Sequence, residues 1–406
     1  MQVFTHQLSN GIRLVHHYSA SKVAYVSAII NTGTRDEQEG EEGIAHFIEH
    51  VLFKGTQRRK AFHILSRLDD VGGEIDAYTT KENTAITEVF LNQHYDRGLE
   101  LLSDIMFNSV FPEKELEKEK EVVIDEINSY KDAPSELIFD DFEEMVFADH
   151  SLGKSILGSK KSIKTFNRKK IEQFIKRNYN TDEIIICSIG DIPFKKLTKM
   201  TEKYFGHIPE NLRSFKRLPF NNYSANSIII KKRTYQAHCI LGAPNYDVFH
   251  KNRLGLLLLT NILAGPGMNS RLNLSLREKF GLVYSVEANY TPYVDTGLAS
   301  IYFGTDKENL EKSLNLVYKE LKKIQHTTMG TMQLHRAKKQ MIGQLAVSAD
   351  SNANLIYTLA KSFLLFNKID SIDKIQKDIE AIDANNIIEI AREAYDTEKL
   401  SLLIYR

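Results

Sequence analysis

The chain holds only two cysteines in 406 residues, Cys187 and Cys239. Both sit in apolar, β-like runs and read as buried thiols. Two distant cysteines make no disulfide framework, which fits a reducing compartment. Charge of one sign is also lacking: 53 Lys and Arg stand against 53 Asp and Glu. That balance argues against the basic footprint of a nucleic-acid binder and a polybasic membrane surface. No long hydrophobic run occurs. The longest, Leu254 to Leu263, is broken by Gly255, Thr260 and Asn261 and is too short to span a bilayer. The first residues, Met1 to His6, show no basic stretch followed by an apolar one, so no secretory signal is visible. A cytoplasmic location, with neither nucleic acid nor membrane as partner, is the expectation.

A hydrophobic content of 42% is ordinary for a folded chain, and 406 residues suffice for two or more domains. Phe4 to Leu8 and Ile12 to His16 flank Ser9-Asn10-Gly11, a strong hairpin signal. His16-His17 reads as a surface pair at a strand end, since adjacent strand residues point to opposite faces. A β run covers Val23 to Asn31. Helices are expected over Ile44 to Phe53 and Ala61 to Val71. Strands follow over Glu74 to Tyr78 and Thr84 to Leu91, then helices near 94–108, 113–131 and 135–147. Ile184 to Ile189 is a buried strand. Pro209 to Ala225 has little periodicity and is the best linker. Beyond it the strand and helix order restarts, without a clear residue-level repeat. Strand runs mixed with helical pairs argue an α+β class over a doubly wound sheet. The expected division is about 1–212 and 222–406.

His46-Phe47-Ile48-Glu49-His50 carries the chemistry. On a helix, histidines four apart share one face and can bind one metal, and Glu49 leans toward that face. Neutral imidazole suits Zn²⁺, and a catalytic zinc takes three protein ligands plus a water. A carboxylate beside that water can take its proton. A helix that merely carries two histidines would show the same five residues. A second helix contains Glu119 and Glu126, two turns apart on one face. Apolar Val122, Val123 and Ile127 are expected on its buried side. Carboxylates where such a face meets the core are costly unless paired or metal-bound. A solvated charge run accounts well for Glu113 to Lys118, and less well for Glu126.

These residues, with Gly33-Thr34-Arg35-Asp36-Glu37 and Gly43 through Thr56, resemble the insulinase/pitrilysin family of zinc peptidases. The resemblance covers nearly the whole chain. It implies two similar α+β domains, each a mixed or antiparallel sheet covered by helices. It implies one Zn²⁺ per chain held by His46, His50 and a Glu 76 positions beyond the second histidine, which is Glu126. Glu119 matches an acidic residue that supports the ligands. Glu49 would be the general base. Gly72 to Thr79 resembles the family's substrate-binding edge strand, with Asp76 where the family has Asn, and Ala77 beside it. An ionised Asp offers no donor.

In the second half, Gly265-Pro266-Gly267-Met268-Asn269-Ser270 is a glycine-rich loop without the Gly-Lys-Ser/Thr ending of a phosphate-binding loop. It leads into Leu276 to Val286, the family's second signature, with Phe280 at a position often basic. Arg277 and Tyr284 come from a helix end and a strand start. By resemblance they complete the site, holding the peptide and the developing oxyanion. A helix-end ion pair plus a packed aromatic is the structural alternative. The expected activity is zinc-dependent endopeptidase cleavage of short or unfolded peptides, added as a strand at Ala77. Half-length members of the family work as two-subunit assemblies, so a homodimer or a heterodimer with a related subunit is expected. Two other readings are a non-catalytic partner subunit, against which the intact His46, Glu49, His50 and Glu126 weigh, and a module that binds zinc only for stability, against which the base beside two ligands weighs. Some relatives in Gram-negative bacteria are exported, so export stays open.

Overall fold

The structure, a computed structural model, describes residues 2–406. The chain forms two compact units. The first takes the chain up to Asn128, Lys154–Arg217 and Ser348–Ser371; the second takes Ser129–Gly153, Leu218–Val347 and Ile372–Arg406. The sequence reading cut the chain once, near 212–222. The units instead also exchange one segment each.

Strands β1 (Val3–Gln7), β2 (Arg13–Tyr18), β3 (Val23–Ile30), β4 (Glu74–Thr79), β5 (Thr84–Leu91) and β6 (Ile184–Gly190) build the first sheet in the order β1-β2-β6-β3-β5-β4. Strands β7 (Ser227–Ile230), β8 (Ala237–Asn245), β9 (Val283–Pro292), β10 (Gly297–Thr305) and β11 (Ser401–Tyr405) build the second in the order β7-β11-β8-β10-β9. The class is α+β, with mixed sheets covered by helices. The β1–β2 hairpin turns at Gly11, whose φ of +97° is open to glycine at no steric cost.

The first unit's helices are α1 (Ile44–Val51), α2 (Ala61–Asp69), α3 (Tyr95–Phe107) and most of α4 (Glu113–Lys131). Strand alternation splits its sheet into two faces. Val26, Ala28, Ile86 and Ile186 join Phe47, Ile48 and Val51 of α1 and Leu99 and Leu102 of α3 in one core. Val15, Ile29, Ala85, Ile185, Cys187 and Ile189 meet Leu355, Ile356, Leu359 and Ala360 on the other face. Those last four belong to the helix Asn352–Phe366, late in the chain. Its counterpart after α4 is α5 (Pro134–Val146), which packs Ile138, Phe142 and Val146 against Ile240, Leu403 and Tyr405 of the second sheet. With both faces covered, β6 is buried along its whole length, as its unbroken apolar run requires.

Coverage of both faces corrects two expectations. His16 is no surface residue: it is fully buried, and its Nδ1 lies 3.2 Å from Ser188 Oγ. Val122 is half exposed, because the buried stripe of α4 runs through Leu116, Glu119, Lys120, Val123 and Ile127.

Glu88 is anomalous in this core. It shares the face of Ile86 and Phe90, is fully buried, and neither carboxyl oxygen has a hydrogen-bond partner. Burial, with Glu100 adding repulsion, pushes its pKa well above the usual carboxylate range. The folded protein therefore holds a proton that the unfolded chain has already released. Its stability contribution is intact below the unfolded value, about 4.3, and is lost as pH rises toward the folded one. Glu88→Met, of similar length and uncharged, should raise the melting temperature by an increment that grows from pH 5 to pH 9, reaching about 2–4 °C. An increment independent of pH would show that Glu88 does not titrate this way.

Candidate metal centre

Helix α1 begins at Gly43, whose φ is +89° and whose missing side chain leaves room for the carbonyl of Leu157; a Cβ would lie 2.6 Å from it. The first turn is held by Glu37, which accepts from the Gly43 and Ala45 N–H groups at 2.9 and 3.0 Å. Burial raises the Glu37 carboxyl well above the usual carboxylate range, and these two N–H groups offset only part of that rise. Ile44, Phe47, Ile48 and Val51 face the core. The helix ends at Val51, two residues earlier than expected, and tightens into one 3₁₀ turn over Leu52–Lys54.

The polar face of α1 meets α4. His46, His50 and Glu126 bring one donor atom each to within 4.8 Å of one another, the one such group of His, Cys, Asp and Glu among the described residues. Glu126 Oε2 lies 3.8 Å from His46 Nε2 and 3.6 Å from His50 Nε2. His50 Nδ1 is 3.0 Å from Glu119 Oε1, and Glu119 Oε2 is 2.7 Å from Lys54 Nζ. A carboxylate accepts, so the Nδ1–H of His50 donates to Glu119, which turns Nε2 toward Glu126. His46 is pushed down to about 4, first by burial and then by His50, so its imidazole is neutral. Its Nδ1 is buried without a partner. Two imidazoles and a carboxylate converging from two helices are a donor set that fits Zn²⁺.

Glu49 stands on the same helix face. Its Oε2 is buried with no hydrogen-bond partner. Burial raises its carboxyl above the usual range; the Thr79 hydroxyl and His50 lower it, and Asp76 and Glu126 raise it further. Thr79 and Asp76 belong to β4, which pairs only with β5 and leaves its other edge open. On β4, Ala77 N–H donates to its neighbour's carboxylate, Asp76 Oδ1, at 2.9 Å.

Arg277 and Tyr284 lie in the second unit. Arg277 is in a single π-helical turn, Asn273–Glu278, and Tyr284 opens β9. Both line a cavity of about 450 Å³ with Glu287 and Asn289. The Tyr284 hydroxyl donates to Asp306 at 3.0 Å. Sequence reasoning missed Glu37, Lys54 and Thr79 as supports. Lys54 had one signal, its place four residues beyond His50.

An uncharacterized zinc protease of Bacillus subtilis (strain 168) is 33% identical to this chain over 397 residues, covering 97% of this chain and 96% of the relative. Residues 13–160 match the family model described as Insulinase (Peptidase family M16). The chain belongs to the insulinase family. A second family model, described as the Peptidase M16 inactive domain, matches residues 165–341. Within the insulinase family, the β subunit of the mitochondrial-processing peptidase of Saccharomyces cerevisiae is 27% identical over 98% of this chain and 90% of the relative. The fold is shared with a crystal structure titled peptidase M16 inactive domain from Pseudomonas fluorescens. Its TM-score is 0.93 at 18% identity, over 100% of this chain and 98% of that one. A protease from Helicobacter pylori aligns at a TM-score of 0.90 and 20% identity, over 100% and 99%.

The second unit repeats the first in outline, without a His, Cys, Asp and Glu cluster of this kind among the described residues. Its helix Arg253–Ala264 packs beside edge strand β9 as α1 packs beside β4. Leu257, Thr260 and Asn261 repeat the spacing of His46, Glu49 and His50. They line a cavity of about 310 Å³ with Gln344, from the helix Thr331–Asp350. Asn261 Nδ2 donates to Gln344 Oε1 at 3.1 Å. An amide pair closes the place where the first unit gathers its two imidazoles and a carboxylate.

Proposed function

We propose that this chain is a zinc metalloendopeptidase acting on short or unfolded peptides. The observation that carries the reading is the convergence of His46 Nε2, His50 Nε2 and Glu126 Oε2 beside Glu49, whose buried Oε2 has no hydrogen-bond partner. His46, His50 and Glu126 would hold one Zn²⁺, and Glu119 with Lys54 would fix the His50 ring. The chemistry that zinc supplies in such a site is Lewis-acid polarisation of the peptide carbonyl and acidification of water. Glu49 takes the proton from the attacking water and delivers it to the leaving amine. The peptide adds as a strand to the open edge of β4, where Ala77 N–H exchanges the Asp76 carboxylate for a peptide carbonyl. Arg277 and Tyr284 hold the peptide and the developing oxyanion charge. Two subunits, identical or related, form the working assembly. The alternative reading is a non-catalytic partner subunit, and the presence of His46, Glu49, His50 and Glu126 together weighs against it.

Purified protein should carry about one zinc per chain, the stoichiometry of a single three-ligand site. Peptide hydrolysis should disappear with a chelator and return with added zinc. Full turnover by metal-free protein, verified by elemental analysis, would refute the proposal.

A further inference from the structure

The residues before the change of unit do more than connect. Arg217 closes the Lys154–Arg217 segment of the first unit, and the chain passes to the second unit at Leu218. Its side chain is 8% exposed, and that of Asp36 is fully buried. Asp36 accepts from Arg217 Nε and Nη2 at 2.8 and 2.6 Å, from Arg213 Nη2 at 2.9 Å and from its own loop's Gly33 N–H at 3.0 Å. Arg217 also donates to the Asn31 side-chain and backbone oxygens at 3.0 and 3.1 Å, and to the Glu82 carbonyl at 2.7 Å. Arg213 reaches the Asn31 carbonyl at 2.7 Å.

Two pieces of backbone meet at this guanidinium. One is the loop 31–37, which ends at Glu37, the anchor of the first turn of α1. The other is the turn 80–83, which directly follows β4. The two are already in backbone contact. Thr34 N–H donates to the Thr80 carbonyl at 3.1 Å and Arg35 N–H to the Lys81 carbonyl at 2.7 Å. Arg35 Nη1 adds a 2.7 Å bond to Glu82 Oε1. A Cβ on Gly33 would lie 2.3 Å from the Thr80 oxygen. The planar fork of Arg217 spans this junction and satisfies acceptors on both sides, a geometry that lysine cannot copy. Without it, the buried Asp36 keeps one arginine and one backbone N–H, and the Glu82 carbonyl loses its arginine donor.

We propose that Arg217, supported by Arg213, is a positioning residue that fixes α1, with the candidate ligands and base, against β4, with the candidate peptide-binding edge. Its kinetic consequence rests on the peptidase reading above; its structural consequence does not.

The test is hydrogen exchange by mass spectrometry on the full chain, wild type against Arg217→Met and Arg217→Lys, with peptide kinetics well below each melting temperature. Expected for Arg217→Met is exchange at least about tenfold faster in segments 43–50 and 74–83, with Tyr95–Phe107 unchanged. Arg217→Lys should fall between the two. kcat/KM should drop by at least about tenfold, with KM rising, because the peptide edge is displaced from the base. Equal acceleration in every segment, or none in the two named, would overturn the proposal. If Arg217→Met does not fold, Arg217→Lys and Asp36→Asn decide by the same pattern. If wild-type protein cleaves no peptide, the peptidase reading fails, and the exchange pattern still decides for or against the positioning role.

Discussion

Glu49→Gln is expected to leave about one zinc per chain and to lower peptide turnover by at least about 100-fold, the scale of a lost general base. The reason lies in the division of labour on α1. His46 and His50 point their Nε2 atoms at Glu126, whereas Glu49 reaches toward β4, where Thr79 and Asp76 are its neighbours. A glutamine there has nearly the same shape and cannot accept the water's proton. Glu126→Gln should behave differently. It removes the only carboxylate of the converging trio, so metal and activity should both disappear. The comparison is made by elemental analysis and initial rates on the same preparations. Equal metal content in the two variants would overturn the assignment of base and ligand. The side chain of Glu126 is 43% exposed, so its replacement leaves no uncompensated buried charge. Loss of zinc in that variant can therefore be read as loss of a ligand, once circular dichroism shows an intact fold.

The helix of the candidate ligands was legible in the sequence because its signal is local. Residues at i, i+3 and i+4 fall on one helical face wherever the helix sits. Glu126 was less so: nothing local separates it from a run of solvated charge, and the spacing shared with a family singled it out. Glu119 was singled out as a support by the same resemblance, but its pairing with His50 and Lys54 was not legible, because it needs α4 laid across α1. Neither was the clamp of Arg213 and Arg217, which lie inside a stretch that reads as a linker. Its low periodicity was real, yet two arginines in it are buried against Asp36. Val122 and Val123 are adjacent, and a helix can turn only one of them to the core. The stripe through Leu116, Lys120 and Ile127 chooses Val123. The exchange of α5 and the helix Asn352–Phe366 between units was also hidden. Apolar periodicity says that a face is buried, and not against which sheet.

Mixing two inactive variants should restore activity if the Arg277/Tyr284 pair of one copy serves the metal cluster of another. Glu49→Gln keeps the pair and lacks the base. Arg277→Ala/Tyr284→Phe keeps the base and lacks the pair. In a two-subunit enzyme working in trans, a mixed dimer has one site ruined twice and one site intact. With random exchange from equal amounts, half of the dimers are mixed and each has one good site in two, so activity should return to about a quarter of wild type. In the cis arrangement every site keeps a defect, and mixing restores nothing. Subunit exchange is checked independently, with differently tagged chains and a pull-down after mixing. Tyr284 sharpens the experiment. Its hydroxyl donates to Asp306, so it must leave that acceptor to reach a developing oxyanion. Asp306→Asn, a weaker acceptor, should then leave activity intact or raise it, whereas Tyr284→Phe alone should lower it. Confirmed exchange without recovery would reject the trans arrangement. Full activity of the Arg277→Ala/Tyr284→Phe chain would reject any role of the pair in turnover, leaving Tyr284 as a surface residue tied to Asp306.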